Sequence, residues 1–293
     1  MCLTEAFINL QPCYCCMDFV VVGDLHGWKP SVGSRDGDIL CVGDVCSSEL
    51  RPLIFKALKI RMKHPEHDLA WWDIIGKITA KDMSRLSWEN GRKVLEAFNK
   101  TGKKTYLVPG NWDWMPGGLP WKFKTYPDLV KGLKNVHDVH MRAKNAGEYT
   151  IIGYGDHSGP ELPQTKRDQK RAKDNEIMTL LKEEYNRTKR KLENLFKKAK
   201  KPVIFLTHNV PHGTRLDKIL DRRSPRYGEH FGSVIVKELV QKYKPAVCVG
   251  GHMHAPFMKT KIDNTVCINA GYKAITGMSL PGPKFKVYKK ASY

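Results

Sequence analysis

At 293 residues the chain is long enough for one large α/β domain with insertions, and its apolar runs are strand-sized, so no membrane-spanning helix is expected. Fifty Lys and Arg against thirty acids give a formal charge of +20, which raises polyanionic partners, nucleic acid among them. Eight cysteines do not form a disulfide framework on this reading: Cys41, Cys46, Cys248 and Cys267 lie in or beside apolar runs as small hydrophobes, and a reducing cytoplasm is expected.

Residues 1–16 read as a weakly ordered tail. Cys2, Cys13, Cys15 and Cys16 crowd it, but no second ligand pair is spaced to complete a zinc or redox site. No basic segment precedes a long apolar core, so no signal peptide is expected. The domain is expected to run from Met17 to residue 293. Phe19 to Val22 reads as a buried strand, and Gly23-Asp24-Leu25-His26-Gly27 follows it. Ile39 to Val42 is a second such run, ending in Gly43-Asp44. A helical insertion is expected over residues 51–87. There Ile54, Leu58, Met62, Trp71, Trp72, Ile74, Ile75 and Ile78 supply apolar faces that cap or flank the site, or make a dimer contact. Trp88 to Phe98 reads as an ordinary helix. It leads to the strand Tyr106-Leu107-Val108 and then to Gly110-Asn111-Trp112-Asp113.

From Trp112 to Trp121 aromatic rings interleave with Gly and Pro. This reads as a hydrophobic lid on the insertion, with a wall for stacking a base as the alternative. Between Lys166 and Lys201 stand 14 Lys or Arg and six acids. Ile177, Leu181, Tyr185, Leu192 and Phe196 fall there at helical spacing, so residues 161–201 are expected to insert a long basic helix or helical pair. Two readings stay open for it: a solvated helix packed on the body, which is favoured, and an arm for DNA or RNA. The strand Val203 to Leu206 precedes Thr207-His208-Asn209. His230, in a Gly-rich turn, reads as structural first and substrate-binding second. The helix Ser233 to Tyr243 stops at Pro245. The strand Ala246 to Val249 then leads to Gly251-His252-Met253-His254.

Asp24, His26, Asp44, Asn111, His208, His252 and His254 thus follow five strands, along the edge where open α/β sheets bind ligands. Any one of these motifs alone would be a turn or a cap. Together, with Asp-x-His and His-x-His each putting two side chains on one face, they read as a metal centre. Three oxygen donors and four imidazoles exceed one ordinary divalent site. They suit two ions of Mn, Fe, Zn, Ni or Co sharing a bridging carboxylate. Ions about 3.5–4 Å apart can hold an attacking hydroxide and neutralise charge on a phosphoryl oxygen.

In this order the motifs resemble those of the calcineurin-like metallophosphoesterases, over residues 19–275 and including Ile268-Asn269-Ala270-Gly271. The resemblance implies a four-layer α/β sandwich, two mixed β-sheets flanked by helices. It implies a first ion on Asp24, His26, Asp44 and His254, with Asp44 bridging to a second ion completed by Asn111, His208 and His252. It implies hydrolysis of a phosphate ester. Phosphodiesters are favoured because members with a substituted Gly-Asn-x-Asp motif resemble phosphodiesterases. Trp112 departs from the pattern: many members carry a His there that protonates the leaving group, and an indole cannot. His157 and His212 are the weak stand-ins, each reading first as a surface or structural histidine. Asp113 is expected to orient the loop or a ligand histidine. Two rival readings remain, a DNA or RNA nuclease using the basic 166–201 segment and a metal-binding scaffold without catalysis.

Overall fold

Side-chain alternation within each apolar run sets the architecture. In β1 (Met17–Gly23) Phe19 and Val21 point one way, Val20 and Val22 the other, and all four are buried. A strand covered on both faces belongs inside a layered sandwich, which is why it reads as continuous apolar sequence. The computed structural model describes residues 16–64, 66–171, 175–222, 224 and 226–289. The expected tail, with Cys2, Cys13 and Cys15, lies outside the described residues; Cys16 is described, exposed and free.

One sheet joins β1 to β2 (Asp38–Cys41), β3 (Thr105–Leu107) and β4 (Val136–Asp138), all parallel. The other holds β5 (Ala143–Ala146), β6 (Tyr149–Tyr154), β7 (Val203–Asn209), β8 (Val247–Gly251), β9 (Met258–Ile262) and β10 (Thr265–Asn269). Here β6, β7, β8 and β10 are parallel, and β5 and β9 are antiparallel edges. β11 (Ala274–Leu280) and β12 (Lys284–Lys289) return antiparallel to the first sheet. The orders are β12-β11-β1-β2-β3-β4 and β5-β6-β7-β8-β10-β9, two mixed six-stranded sheets.

Between the sheets Phe19, Val21, Leu40 and Val42 meet Ile204, Leu206, Val247 and Val249. The helices α1 (Arg51–Lys63), α2 (Trp71–Ile75), α3 (Lys77–Lys100) and α4 (Tyr126–Val130) belong to the first sheet's side. Val94, Leu95 and Phe98 of α3 cover that sheet's outer face. α5 (Lys166–Arg171), α6 (Asn175–Lys198) and α7 (Val234–Tyr243) belong to the second, where Leu192, Phe196, Ile235 and Leu239 cover Phe205 and Cys248. The fold is the expected four-layer α/β sandwich.

The local expectations differ from the structure in two places. The helix expected over Trp88 to Phe98 is the second half of α3, which begins at Lys77 and has no break at residue 87. Its separation from α2 is made by Gly76, at φ 80°, a conformation glycine adopts without a Cβ clash. The basic segment is a helical pair whose long member packs from Tyr185 onward and leaves its first turns exposed. Leu192 and Phe196 are buried, whereas Ile177 and Leu180 are 46% and 64% exposed. Among the described residues no helix is long and apolar enough to cross a membrane.

Candidate metal centre

The C-terminal ends of β1, β2, β7 and β8 converge, and the loops beyond them are strained. Asp24, Asp44, His26, His252 and His254 all have positive φ, between 30° and 71°. Each costs about 1–3 kcal/mol for a residue with a Cβ, and such strain concentrates where a function over-determines the backbone. The loops are tied to one another: His26 N donates to Asp44 O at 2.7 Å, His252 N to Asp24 Oδ1 at 2.9 Å, and Trp112 N to Asp44 Oδ1 at 2.9 Å. Two glycines make the approach possible. A Cβ on Gly110 would sit 2.1 Å from Asp44 Oδ1, and one on Gly251 would sit 2.7 Å from Asp24 Oδ1.

Six of the seven expected donors gather in two groups that share Asp44. In one, His26 Nε2 lies 2.8 Å from His254 Nε2 and 3.4 Å from Asp44 Oδ2. In the other, His208 Nε2 lies 2.9 Å from Asn111 Oδ1, 3.2 Å from His252 Nδ1 and 3.7 Å from Asp44 Oδ1. His252 Nδ1 is also 2.9 Å from Asn111 Oδ1. The carboxylate thus gives one oxygen to each group, the geometry of a bridging ligand. The seventh, Asp24, is held against His252 N and stands outside both compact triplets, with Oδ2 buried and unpartnered.

The protons on the second group can be placed. His208 Nδ1 donates to Val42 O at 2.8 Å, and His252 Nε2 to Ser158 O at 3.0 Å. A carbonyl only accepts, so the nitrogens facing the site carry lone pairs. Two imidazole lone pairs and an amide oxygen then converge within about 3 Å with no hydrogen among them. That donor set fits a divalent cation, and the carbonyls are the outer partners such histidines use.

The electrostatics agree. Burial pushes the Asp24 carboxyl up to about 7 and Asp113 up to about 6; Asp44 goes well above its usual range, by burial and then by the Asp113 and Asp24 charges. Burial holds His26 and His208 down to about 3, and His252 and His254 well below the ordinary imidazole range. Neutral imidazoles beside carboxyls that resist ionisation are what a bound cation would complement, since its charge reverses the sign for the acids.

The neighbouring residues divide into supports and strangers. Asp113 accepts from Cys46 N at 3.0 Å and Gly110 N at 2.8 Å, so it orients the two loops. Trp112 sets its ring edge-on to His26, 6.1 Å between centroids, and packs with Trp114 and Trp121 on Leu53, Ile54 and Trp71 of the insertion. His157 stacks on Tyr154 and lies 3.6 Å from Glu161 Oε1, next in the chain to Ser158. His212 stands instead with His230 around Asp217. Sequence reading passed over Ser158, Val42 and Tyr272. The first two act through backbone carbonyls, which carry no residue signature, and Tyr272 lies 4.8 Å from the His254 ring without a motif of its own.

The calcineurin-like phosphoesterase family model matches residues 17–256. Among solved structures, one crystal structure aligns with a TM-score of 0.61 at 15% identity, covering 94% of this chain and all of the other. The protein TT1561 of Thermus thermophilus aligns at 0.50 and 12% identity, covering 93% of this chain and 98% of that one. The phosphopantetheinyl hydrolase PptH from Mycobacterium tuberculosis aligns at 0.50 and 16% identity, over 87% and 89%. These likenesses speak for the fold. No curated protein is similar enough in sequence to count as a match.

Proposed function

The chain belongs to the calcineurin-like phosphoesterase family, whose members are metal-dependent, and on that premise we propose that it hydrolyses phosphodiesters with two divalent ions. The observation that carries this reading is the Asp44 carboxylate shared between two donor groups. Asp24, His26, Asp44 and His254 would hold one ion, and Asp44, Asn111, His208 and His252 the other. Bound there, the ions supply Lewis acidity, activating water and neutralising charge on the phosphoryl oxygens. The chain's own part is to fix those donors, with Val42 and Ser158 setting the imidazole tautomers and Asp113 clamping the loops. The buried free thiols Cys41, Cys46, Cys248 and Cys267 favour work in a reducing compartment such as the cytoplasm.

Trp112 supports the diester preference. Its indole stands 6.1 Å from the His26 ring, close enough to offer an apolar surface to an organic ester group. The extra anionic oxygen of a monoester would meet no donor from the indole ring face. A leaving group also needs a proton, and of the two spare histidines His157 is the better placed, since its chain neighbour Ser158 accepts from His252 while His212 stands with Asp217 and His230. His157→Gln is expected to slow phenyl esters more than nitrophenyl esters.

The direct test is turnover of bis-p-nitrophenyl phosphate and p-nitrophenyl phosphate by protein stripped and reloaded with Mn²⁺, Ni²⁺ or Zn²⁺. Diester turnover that Asp44→Ala and His208→Ala abolish is expected. Faster monoester turnover would make this a phosphomonoesterase. Ion binding by calorimetry with no turnover of either ester would leave the scaffold reading.

A further inference from the structure

α1 divides its surface by residue type. Leu53, Ile54 and Ala57 turn into the core of the insertion. Arg51, Phe55, Lys56, Lys59 and Lys63 line a groove of about 890 Å³, and Asp221 is also part of its lining. This groove opens beside the Asp44 loop: Ser48, four residues after Asp44, lines it, and Trp112, 6.1 Å from the His26 ring, packs with Leu53 and Ile54 of α1. Arg51 opens α1 seven residues after Asp44. Its guanidinium lies 4.9 Å over the Phe55 ring, a flat cation–aromatic pair at the end nearest the chemistry. Lys59 and Lys63 follow eight and twelve residues after Arg51, about 12 and 18 Å further along the same helix face.

These charges are available to a ligand. Among the described residues no ion pair engages Arg51, Lys56, Lys59 or Lys63. On the other basic helix, α6, Arg187 is paired with Glu184 and Lys189 with Glu238, while its Glu193 pairs with Lys242 of α7. The segment richest in basic residues is therefore partly neutralised, and the groove on α1 is not.

A repeated row of cations with a stacking surface at one end is how proteins hold single-stranded nucleic acid. The face is as long as about five stacked nucleotides at 3.4 Å each, more than a mononucleotide would use. We infer that the α1 groove binds a single-stranded oligonucleotide leading into the metal centre, with phosphates on Lys59 and Lys63 and a base against the Arg51–Phe55 pair. The inference rests on the phosphodiesterase reading and names its substrate class.

The test is fluorescence anisotropy of the metal-loaded full chain with a fluorescein-labelled ten-nucleotide single-stranded DNA, phosphorothioate-linked to resist cleavage. Binding that weakens steeply with salt is expected. Lys59→Glu/Lys63→Glu should lower affinity about ten-fold or more and reduce the salt slope by about two. The milder Lys59→Gln/Lys63→Gln should give a smaller loss of the same kind. Lys197→Glu/Lys198→Glu, an equal charge change on exposed residues of α6, should stay within about two-fold of wild type. No binding by the wild type, equal losses from both helices, or equal affinity for a duplex of the same sequence would each overturn the proposal. Bis-p-nitrophenyl phosphate, too small to reach Lys59, separates the two readings. Turnover without oligonucleotide binding defeats the groove alone. Oligonucleotide binding without turnover defeats the hydrolase reading and leaves the groove standing.

Discussion

Asp44 and Asp217 are both carboxylates with no exposed surface, and the fold treats them in opposite ways. Asp217 receives Gly213 N and Thr214 N at 2.9 Å, Gly232 N at 3.0 Å and His230 Nδ1 at 2.7 Å. Asp44 receives Trp112 N on one oxygen, and its Oδ2 is buried with no hydrogen-bond partner. A carboxylate that only holds loops together is surrounded by donors, because an unpaired buried charge is expensive. At the sheet edge the surrounding groups are imidazole lone pairs and two further acids, Asp24 and Asp113. An arrangement that raises the cost of a buried charge is explained by a cation that removes it.

The sharpest way to break this contrast is Asp44→Ala. Activity should fall on the order of 10³-fold or more, and bound metal measured by mass spectrometry should drop below two ions per chain. The metal-free variant should be no less stable than metal-free wild type, since the substitution removes an uncompensated acid. A loss of stability matching the loss of activity would make Asp44 a structural residue like Asp217.

Asp217→Ala should do the converse. Leaving the buried Gly232 N unpaired, with three further donors left partly to solvent, costs about 1–3 kcal/mol, measurable by urea denaturation, while metal content per folded chain stays at the wild-type value. Metal loss at unchanged stability would erase the distinction between the two sites.

Trp112→His sharpens the contrast from the catalytic side. Restoring an acid–base group beside His26 should raise kcat on phenyl esters by about 100-fold, the low end of what positioned proton donors contribute. It should also cost about 1–2 kcal/mol of stability, because the indole packs on the insertion. No gain in rate would show that the leaving-group proton already comes from elsewhere, and His157→Gln would then be the more damaging change.

The smallest effect is the pH dependence. Asp24, up to about 7 in the folded metal-free chain, holds a proton that the unfolded chain releases near 4, so its contribution to stability falls as pH rises from about 4 to 7. His26 and His208, down to about 3, act in the opposite sense: the unfolded chain binds the extra protons, and their contribution grows from about pH 3 to 6.5. Above pH 6.5 only the carboxyl penalty is still growing, and a bound cation removes it. The gap in Tm between Mn²⁺-loaded and metal-free protein should therefore widen between pH 6 and 7.5 in calorimetry. A constant gap would mean that Asp24 is ionised without metal.

The strands and the donors were legible because they are local. Val-rich runs such as Phe19 to Val22 and Val203 to Leu206 are buried on both faces, and each announces itself without knowledge of its neighbours. The clustering of six donor-type side chains was legible because each sits in a short motif just after a strand, and the strand ends converge. The extent of α3 was less legible. Its first half, from Lys77, packs on the insertion, and its boundary depends on where Gly76 lets the chain turn.

What the sequence by itself determined was composition, the two-faced strands and a set of donor-type residues at the strand ends, six of which the fold gathers into two groups. Tertiary structure alone decided how those donors are shared. Asp44 meets His26 and His208 across 18 and 164 residues of chain, and Ser158 O fixes His252 across 94. The same holds for charge. The basic residues of α6 dominate the sequence, yet Glu184 and Glu238 neutralise part of them, while among the described residues no ion pair engages the fewer cations that line the α1 groove. Pairing between distant residues is set by packing geometry, and no local pattern encodes it.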